Sequence, residues 1–504
     1  VTTAADGGAT VYEFSPAGEV LSITDPMGVK TSFTYDAMHN ILQGTDALGN
    51  TLTYEYDANY NKIKETDARG NTTSYAYDSR DRLIRTTDAK GNTVDLTLDG
   101  LGNIRAQKDR RGNSSTAEYD PVLGLPTQVT DRLGNITYYN YDRNGNITLI
   151  TYADGSSTSY AYDGAGRLVS ITAQNGLVTN LSYDGNGNLT QITDDETRVY
   201  TYTYDHNNQL VLAVDPLGGE TRFAYDGAGN QTAVTDANGN TTDYGYDAVG
   251  RLTQIQDALD GVTSTIYDLN GRPTSATDAN GHTDTYYYNE IGELLAQTDA
   301  MGYVTAYEYD SVGNMTKTTD ALKGETKAVY DALNQAVTMT DAMDGEYAYQ
   351  YDENGNLLQI TYPDGDTVTM TYDAEDRMIS RTDEAGVVTE YVYDSMGRLT
   401  KEEDSIGNVM TYGYDTSGNL LWQKDTIGRI ANYEYDAFNH LTAITDYGDA
   451  RTEYGYDAMD RLISVTQADG TVYSYEYDAA GNLNKTTERG EAVYTYAYDA
   501  TNRV

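Results

Sequence analysis

Short runs of apolar and aromatic residues alternate with clusters of Asp, Gly and Asn along the whole chain. Thr53-Tyr54-Glu55-Tyr56 and Leu189-Thr190-Gln191-Ile192-Thr193 are two such runs. They have the Thr, Tyr, Val, Ile and Leu content of strands. None reaches the length or the 3.6-residue spacing that an amphipathic helix requires. The clusters between them, such as Asp163-Gly164-Ala165-Gly166-Arg167 and Asp236-Ala237-Asn238-Gly239-Asn240, are turn signals. Asp at the entrance accepts backbone N–H groups, while Gly and Asn tolerate positive φ. Strand, turn, strand, turn predicts β-hairpins.

The unit is 21 residues long. Tyr35-Asp36, Tyr56-Asp57 and Tyr77-Asp78 open the series, Leu98-Asp99 fills the next slot and Tyr119-Asp120 follows. One extra residue enters between Pro121 and Pro126, and the phase then holds without slipping from Tyr141 to Tyr498. Phe14 occupies the slot before Tyr35. Each unit has one turn just after the tyrosine and a second about eleven residues on. Pro26, Pro216 and Pro363 fall in turns, where proline does no harm. A period this strict makes residues 1–504 one array of about 24 repeats.

Tyrosine fills two columns. It occupies 22 of 24 slots before the acid, and recurs two residues earlier as Tyr12, Tyr54, Tyr75, Tyr139 and Tyr160, among others. Residues two apart share a strand face, so both rings point the same way. The intervening strand is expected to place Leu or Ile between successive rings, and Asn and Asp columns to bond the phenol oxygens. Twenty-four paired hairpins make a ribbon roughly 230 Å long, with strands ~4.8 Å apart. Such a ribbon must curl, stack or pack on a partner to cover an apolar face, and sheet twist biases it toward a spiral. The fold class expected is all-β: a continuous antiparallel hairpin array spiralling into a hollow shell or tube, its successive turns paired edge to edge.

Composition narrows the function. Formal net charge is −45, from 78 acids against 33 bases spread along the chain. Such a surface repels phosphate backbones and anionic membranes, so no nucleic-acid partner is expected. No apolar stretch is long enough for a membrane-spanning helix. Cysteine is absent, which removes disulfides and thiolate metal sites. The abundance of periodic Tyr and β-branched residues argues against disorder. Val1 is not a methionine and Val504 stops in mid-repeat, so the chain reads as a segment of a longer polypeptide.

Two copies display the repeat well: Tyr391-Val392-Tyr393-Asp394-Ser395-Met396-Gly397-Arg398-Leu399 and Tyr475-Glu476-Tyr477-Asp478-Ala479-Ala480-Gly481-Asn482-Leu483. With the later Thr-Asp-x-x-Gly-Asn-x-Thr element, this pattern resembles the YD repeats of the Rhs family over essentially all 504 residues. That family includes bacterial Rhs polymorphic toxins, wall-associated proteins, the C component of insecticidal toxin complexes and the teneurins. The resemblance implies a large hollow β-shell. In bacterial members it implies an enclosed C-terminal toxic domain, released by self-cleavage in a core at the end of the repeats. The chain departs from the pattern in three ways. It shows no divergent C-terminal block and no insertion long enough to plug a shell. Asn often replaces Arg, as at Asn230, Asn314 and Asn356. So regular an array could continue as an open tube or fibre.

No catalytic constellation emerges. His39, His206, His282 and His440 share no phase in the repeat and read as solvated turn residues. Serines and lysines have no fixed partner for nucleophilic chemistry. Catalytic, cofactor-binding and metal sites are therefore all expected to be none, and the protein is expected not to be an enzyme. The Asp columns, Asp36, Asp57 and Asp78 in one and Asp46, Asp67 and Asp88 in the other, read as turn caps, with Ca²⁺ the one ion their oxygens would suit. Trp422 reads as a packing substitute for an aliphatic residue. The sequons at Asn71, Asn135 and Asn314 read as by-products of the turn. The expected function is the structural wall of a secreted or surface-exposed Rhs-type protein, enclosing or presenting a passenger encoded elsewhere. A structural extracellular filament or adhesin formed by self-association is the alternative. A surface for glycans or partner cells, built on rows of Tyr, Thr and Asn, is the third reading.

Overall fold

The computed structural model describes residues 1–194 and 198–504. It contains 48 antiparallel strands and, among the described residues, no helix. Every strand pairs with its neighbours in sequence, from Thr2–Thr3 to Glu491–Thr495, so the sheet is one open meander. A six-residue strand ending at the slot tyrosine, such as Thr72–Tyr77, alternates with a five-residue return strand, such as Leu83–Thr87. The turn after the tyrosine is called here the Tyr turn, and the turn after the return strand the Thr turn.

Both turns use one construction. In the Tyr turn at 57–61, the Asp57 N–H donates to the Asn61 carbonyl at 3.0 Å, and the Tyr60 N–H to the Asp57 carbonyl at 3.1 Å. Asp57 Oδ1 accepts the N–H groups of Asn59 and Asn61, and Asn61 Nδ2 donates to Asp57 Oδ2. The Thr turn at 67–71 repeats these bonds with Asp67, Arg69 and Asn71. The fourth turn residue lies in the left-handed region, with Gly70 at φ 86°. The extra residue after Asp120 is absorbed by widening one turn, whose Asp120 N–H reaches the Leu125 carbonyl.

Register follows from turn and bulge. Across the Tyr turn, Ser74, Tyr75 and Ala76 face Thr87, Thr86 and Arg85, and a bulge brings Tyr77 opposite Leu83. Across the Thr turn the ladder is only three pairs long, Lys64 to Thr66 against Ser74 to Thr72. It stops short of Lys62, whose carbonyl accepts the Tyr77 hydroxyl at 2.8 Å. The same bond, from tyrosine to the carbonyl fifteen residues earlier, recurs from Tyr35 to Tyr498. The slot phenols thus satisfy backbone carbonyls that lie beyond the three-pair ladder across the Thr turn, and do not turn to the Asn and Asp columns. The expected aromatic–aliphatic alternation is present in part: Tyr139 faces Ile150, Tyr160 faces Ile171 and Tyr433 faces Ile444, whereas Tyr54 faces Glu65, Tyr75 faces Thr86 and Tyr391 faces Glu402.

The ribbon coils. Side chains in the first half of the chain bond to residues 240 to 265 positions later, roughly twelve 21-residue units. These contacts run from Asp6 with Arg251 to Asn238 with Asp478, so the array makes about two superhelical turns. Strands cross the ribbon, so its long edges are rows of hairpin turns. Successive superhelical turns therefore meet loop to loop, and the edge-to-edge pairing expected from sequence does not occur. Backbone groups at the ribbon's edges are already consumed inside the turns, which leaves side chains to make the join.

The wall is one sheet thick. Only Val368, Ala431 and Ala443 are fully buried apolar residues among those described. The accessible surface, 27441 Å², exceeds the ~18,000 Å² of a compact globule of this mass by about half. Nothing from the described chain fills the middle. Twenty-four strands per superhelical turn at ~4.8 Å give a circumference of ~115 Å and a lumen roughly 25 Å wide, once a sheet ~10 Å thick is allowed for.

Candidate functional site: the seam between superhelical turns

Neighbouring repeats are first bonded to each other through the fifth residue of the Tyr turn. Where it is Arg, the guanidinium bonds its own turn, reaches the next repeat and lies over that repeat's tyrosine. Arg398 Nε donates to Asp394 Oδ2 at 2.7 Å, Nη1 donates to the Asp415 carbonyl at 2.8 Å, and its Cζ sits 5.3 Å from the Tyr414 ring centre. Where it is Asn and the fourth residue of the next turn is Asn or Asp, Nδ2 divides its bonds between its own Asp and that side chain. Asn188 donates to Asp184 Oδ2 and to Asn208 Oδ1.

The seam joins Thr turns of the first superhelical turn to Tyr turns of the second. Arg69 donates to the Tyr330 and Asp331 carbonyls and to Asn334 Oδ1, and pairs with Asp310 at 3.4 Å. Arg111, two repeats on, makes the same set with Tyr372, Asp373, Asp376 and Asp352. Both side chains are largely buried. Arg132 bridges Asp109, Asp376 and Glu375. Arg198 pairs with Asp460 and lies 3.8 Å from the Phe438 ring centre. Lys90 pairs with Asp331 at 2.5 Å. On so acidic a chain, cations concentrated in one joint hold carboxylates together that would otherwise repel. Burial raises the pKa of Asp109, but bonds from Asn354, Arg132 and Asn113 outweigh it and hold the carboxyl at about 2. For Asp376 burial is likewise outweighed, by Asn354, Asn356 and Arg132, and the net shift is downward.

The residues singled out in the sequence occupy these turns. His39 takes the left-handed position of its turn and bonds Glu19. His206 and His282 are exposed, and His282 bonds Asp278. His440 departs from the expected solvated state. It is largely buried at the seam, with Nδ1 on Asp436 and Nε2 on Asp460. The four rings are far apart in the array, and among the described residues no three acids or histidines converge as a metal site would require. The Asp columns do the capping work expected of them through Oδ1, as at Asp57 and Asp67. The amides of Asn71, Asn135 and Asn314 are engaged by their own turn aspartates. Trp422 stands opposite Gly413 in a mixed column that holds Arg85 and Lys401 but also Leu149 and Leu212 in other repeats, on the face away from the tyrosines. A Cβ on Gly413 would meet its indole at 2.2 Å, so the ring covers a bare glycine.

Sequence reasoning missed the seam. Its signal lay in the third residue of the Thr turn, which is Arg69, Lys90 and Arg111 in three successive repeats of the first half. Near the far end of the seam a cavity of about 410 Å³ opens between superhelical turns, lined by Tyr200, Tyr202, Ala237, Met459 and Arg461.

The family model described as teneurin YD-shell matches residues 104–285 and 274–452. The RHS-repeat model matches 14–45, 40–71, 63–93, 435–472 and 456–492. No curated protein matches the chain. Among solved structures it is similar to TcdB2-TccC3 without its hypervariable C-terminal region, at 15% identity and a TM-score of 0.55, over 98% of this chain and 37% of that one. The TcdB2-TccC3 structure that is not so shortened matches at 15% identity and a TM-score of 0.51, over 96% of this chain and 35% of that one. This chain thus spans little more than a third of those it resembles, and the likeness is one of fold. Repeat chemistry, a coiled single-layer wall and the family match agree: the chain belongs to the Rhs/YD-repeat family, whose members build the YD-shell.

Proposed function

We propose that this chain is the structural wall of a secreted or surface-exposed Rhs-type protein, enclosing a passenger segment encoded outside these 504 residues. The observation that supports this most is the continuous wall. Twelve hairpins close each superhelical turn, and buried arginines lock one turn onto the next. A wall that served only as a surface for ligands would not require a sealed joint. One neighbouring structure is named for lacking a hypervariable C-terminal region, the kind of segment a shell would hold. A lumen of roughly 25 Å is narrower than the ~34 Å that a folded 100-residue domain occupies, so the passenger would be held unfolded or partly folded. The acidic shell favours solubility while such a segment is sequestered. The test is electron cryomicroscopy of the longest natural polypeptide containing this chain, with limited proteolysis. Lumen density, and a segment protected until the wall is opened by acid, are expected. An empty lumen in that full polypeptide would overturn the proposal.

A further inference from the structure

Four joints of the seam share one acceptor position, the fourth residue of a Tyr turn in the second superhelical turn. Arg69 donates to Asn334 Oδ1, Arg111 to Asp376 Oδ1 and Asn175 to Asn439 Oδ1, and Arg198 pairs with Asp460. Each acceptor is also held by the fifth residue of the preceding Tyr turn. Asn314 donates to Asn334 at 3.0 Å, Asn356 to Asp376 at 2.7 Å and Asn419 to Asn439 at 2.8 Å. The same amide also donates to its own turn aspartate, as Asn356 does to Asp352 Oδ2 at 2.9 Å. One NH₂ group has two hydrogens and supplies both bonds, and it does not titrate.

At the fourth joint the holder is His440. Its Nδ1 lies 3.0 Å from Asp436 Oδ2 and its Nε2 lies 3.0 Å from Asp460 Oδ1, the two contacts that Asn makes elsewhere. Both acceptors are carboxylates, which have no hydrogen to give when ionised, so both ring nitrogens must donate. Only the imidazolium does that. A neutral ring makes one bond and turns a lone pair toward the other carboxylate. The His440 side chain is 19% exposed, against 61% for His39 and 67% for His282, so water replaces a lost bond poorly. Around the ring stand Asp436 on its own turn, and Asp460 and Asp457 on the next, with Asp457 paired to Arg461. The Tyr456 ring lies 5.0 Å away. Across the seam Arg198 also pairs with Asp194 and covers Phe438. Asp195 and Glu196 of that hairpin lie outside the described residues.

We infer that His440 is a pH-sensitive latch on the Arg198 joint, closed while its ring is protonated and released when the ring becomes neutral. Imidazole is the side chain that changes charge between roughly pH 5 and 8, a range over which ordinary carboxyl groups stay ionised. A bond that only the protonated ring makes contributes on the acid side and is lost as pH rises. This is opposite in sign to the seam carboxylates, whose contribution is lost as pH falls. Release frees Asp460 from its holder, and with it the alignment that Arg198 uses. The joints at Asn334, Asp376 and Asn439 keep their amide holders throughout this range, so the seam loosens at one place along its length.

The turn at 373–377, which contains Asp376, is an internal control for the turn at 457–461, which contains Asp460. Hydrogen exchange of the whole chain is followed from roughly pH 5 to 8, with each amide corrected for the intrinsic pH dependence of exchange. Protection at 457–461 is expected to fall roughly tenfold relative to 373–377, the factor that loss of one hydrogen bond between charged groups corresponds to. The ring of His440, followed by NMR of ¹³C-labelled histidine and assigned by its absence from the variant, should lose its second proton over the same interval. His440→Asn copies the Asn356–Asp376 pair, and is expected to keep both turns equally protected across the range. Three results would overturn the inference: equal protection of the two turns at every pH in the wild type, a His440 ring still doubly protonated at the alkaline end, or a His440→Asn chain that loses protection as the wild type does. Lumen contents do not enter this measurement, so it stands or falls apart from the passenger reading.

Discussion

At the residue scale, one choice in each Tyr turn constrains the next repeat. Arg82, Arg167, Arg251, Arg272, Arg377, Arg398 and Arg461 each precede a repeat whose fourth turn residue is glycine. Where that residue is not glycine and still has positive φ, the preceding fifth residue is Asn at Tyr60, Asp81, Asn208, Asn334, Asp376, Asn439 and Asn502, and is Glu19 before His39 and His440 before Asp460. The reason is space as well as φ. A Cβ on Gly397 would stand 3.3 Å from Arg377 Nη1. Gly397→Asn is therefore expected to destabilise its repeat by ~1–2 kcal/mol. The double variant Arg377→Asn, Gly397→Asn recreates the Asn188–Asn208 pairing and should recover much of that loss. A double-mutant cycle in urea checks it, and strict additivity would refute the coupling. Tyr351→Phe removes the donor to the Ala336 carbonyl, which lies beyond the ladder across the Thr turn. A loss of ~1 kcal/mol is expected, read as faster amide exchange in strands Ala336–Thr340 and Glu346–Tyr351.

At the scale of elements, hairpin and seam are separate sources of order. Hairpins are held by local bonds within and between adjacent repeats, whereas the seam depends on a few long side chains. Arg111→Ala removes donors to the Tyr372 and Asp373 carbonyls and leaves Asp352 and Asp376 short of a cation. The expected cost is ~2–3 kcal/mol at the seam, because hydrogen bonds to a charged group are lost. Amide exchange should rise in the turns at 109–113 and 373–377, while the strands between them keep their protection. Loss of β-structure throughout would show that seam and hairpin fold as one unit.

At the scale of the molecule, charge decides when the wall holds. The Asp109 carboxyl titrates at about 2 in the fold, below its ordinary value near 3.8. A depressed pKa contributes stability that is complete above the ordinary value and is lost as pH falls through the folded one. Asp310 and Asp376 are shifted the same way: burial is outweighed at Asp310 by Asn314 and the turn backbone with a smaller contribution from Arg69, and at Asp376 by Asn354, Asn356 and Arg132. The seam is thus expected to loosen between roughly pH 4 and 2, and the turns weaken in the same window, because their Asp caps, such as Asp57 and Asp78, are held below the ordinary value by Asn61 and Arg82, while the Tyr–carbonyl bonds do not titrate there. Small-angle scattering should report the loosening, and a radius of gyration unchanged down to roughly pH 2 would contradict it.

The repeat, the two turns, the strand faces and the family were legible in the chain, because a hairpin is specified within ten residues of itself. Asp57 caps Asn61, and Tyr160 faces Ile171, through contacts that 21-residue phasing imposes. The joint between superhelical turns was not legible. Whether Arg69 meets Asp310 depends on how many repeats complete one circuit, and that number follows from small twists summed over some twenty-four strands. Likewise Met301 and Leu48 hold the same slot in the repeat, and only the coil lays a neighbouring turn against Leu48, which is the less exposed of the two. Local periodicity determined what each unit is; accumulated curvature alone decided which units touch.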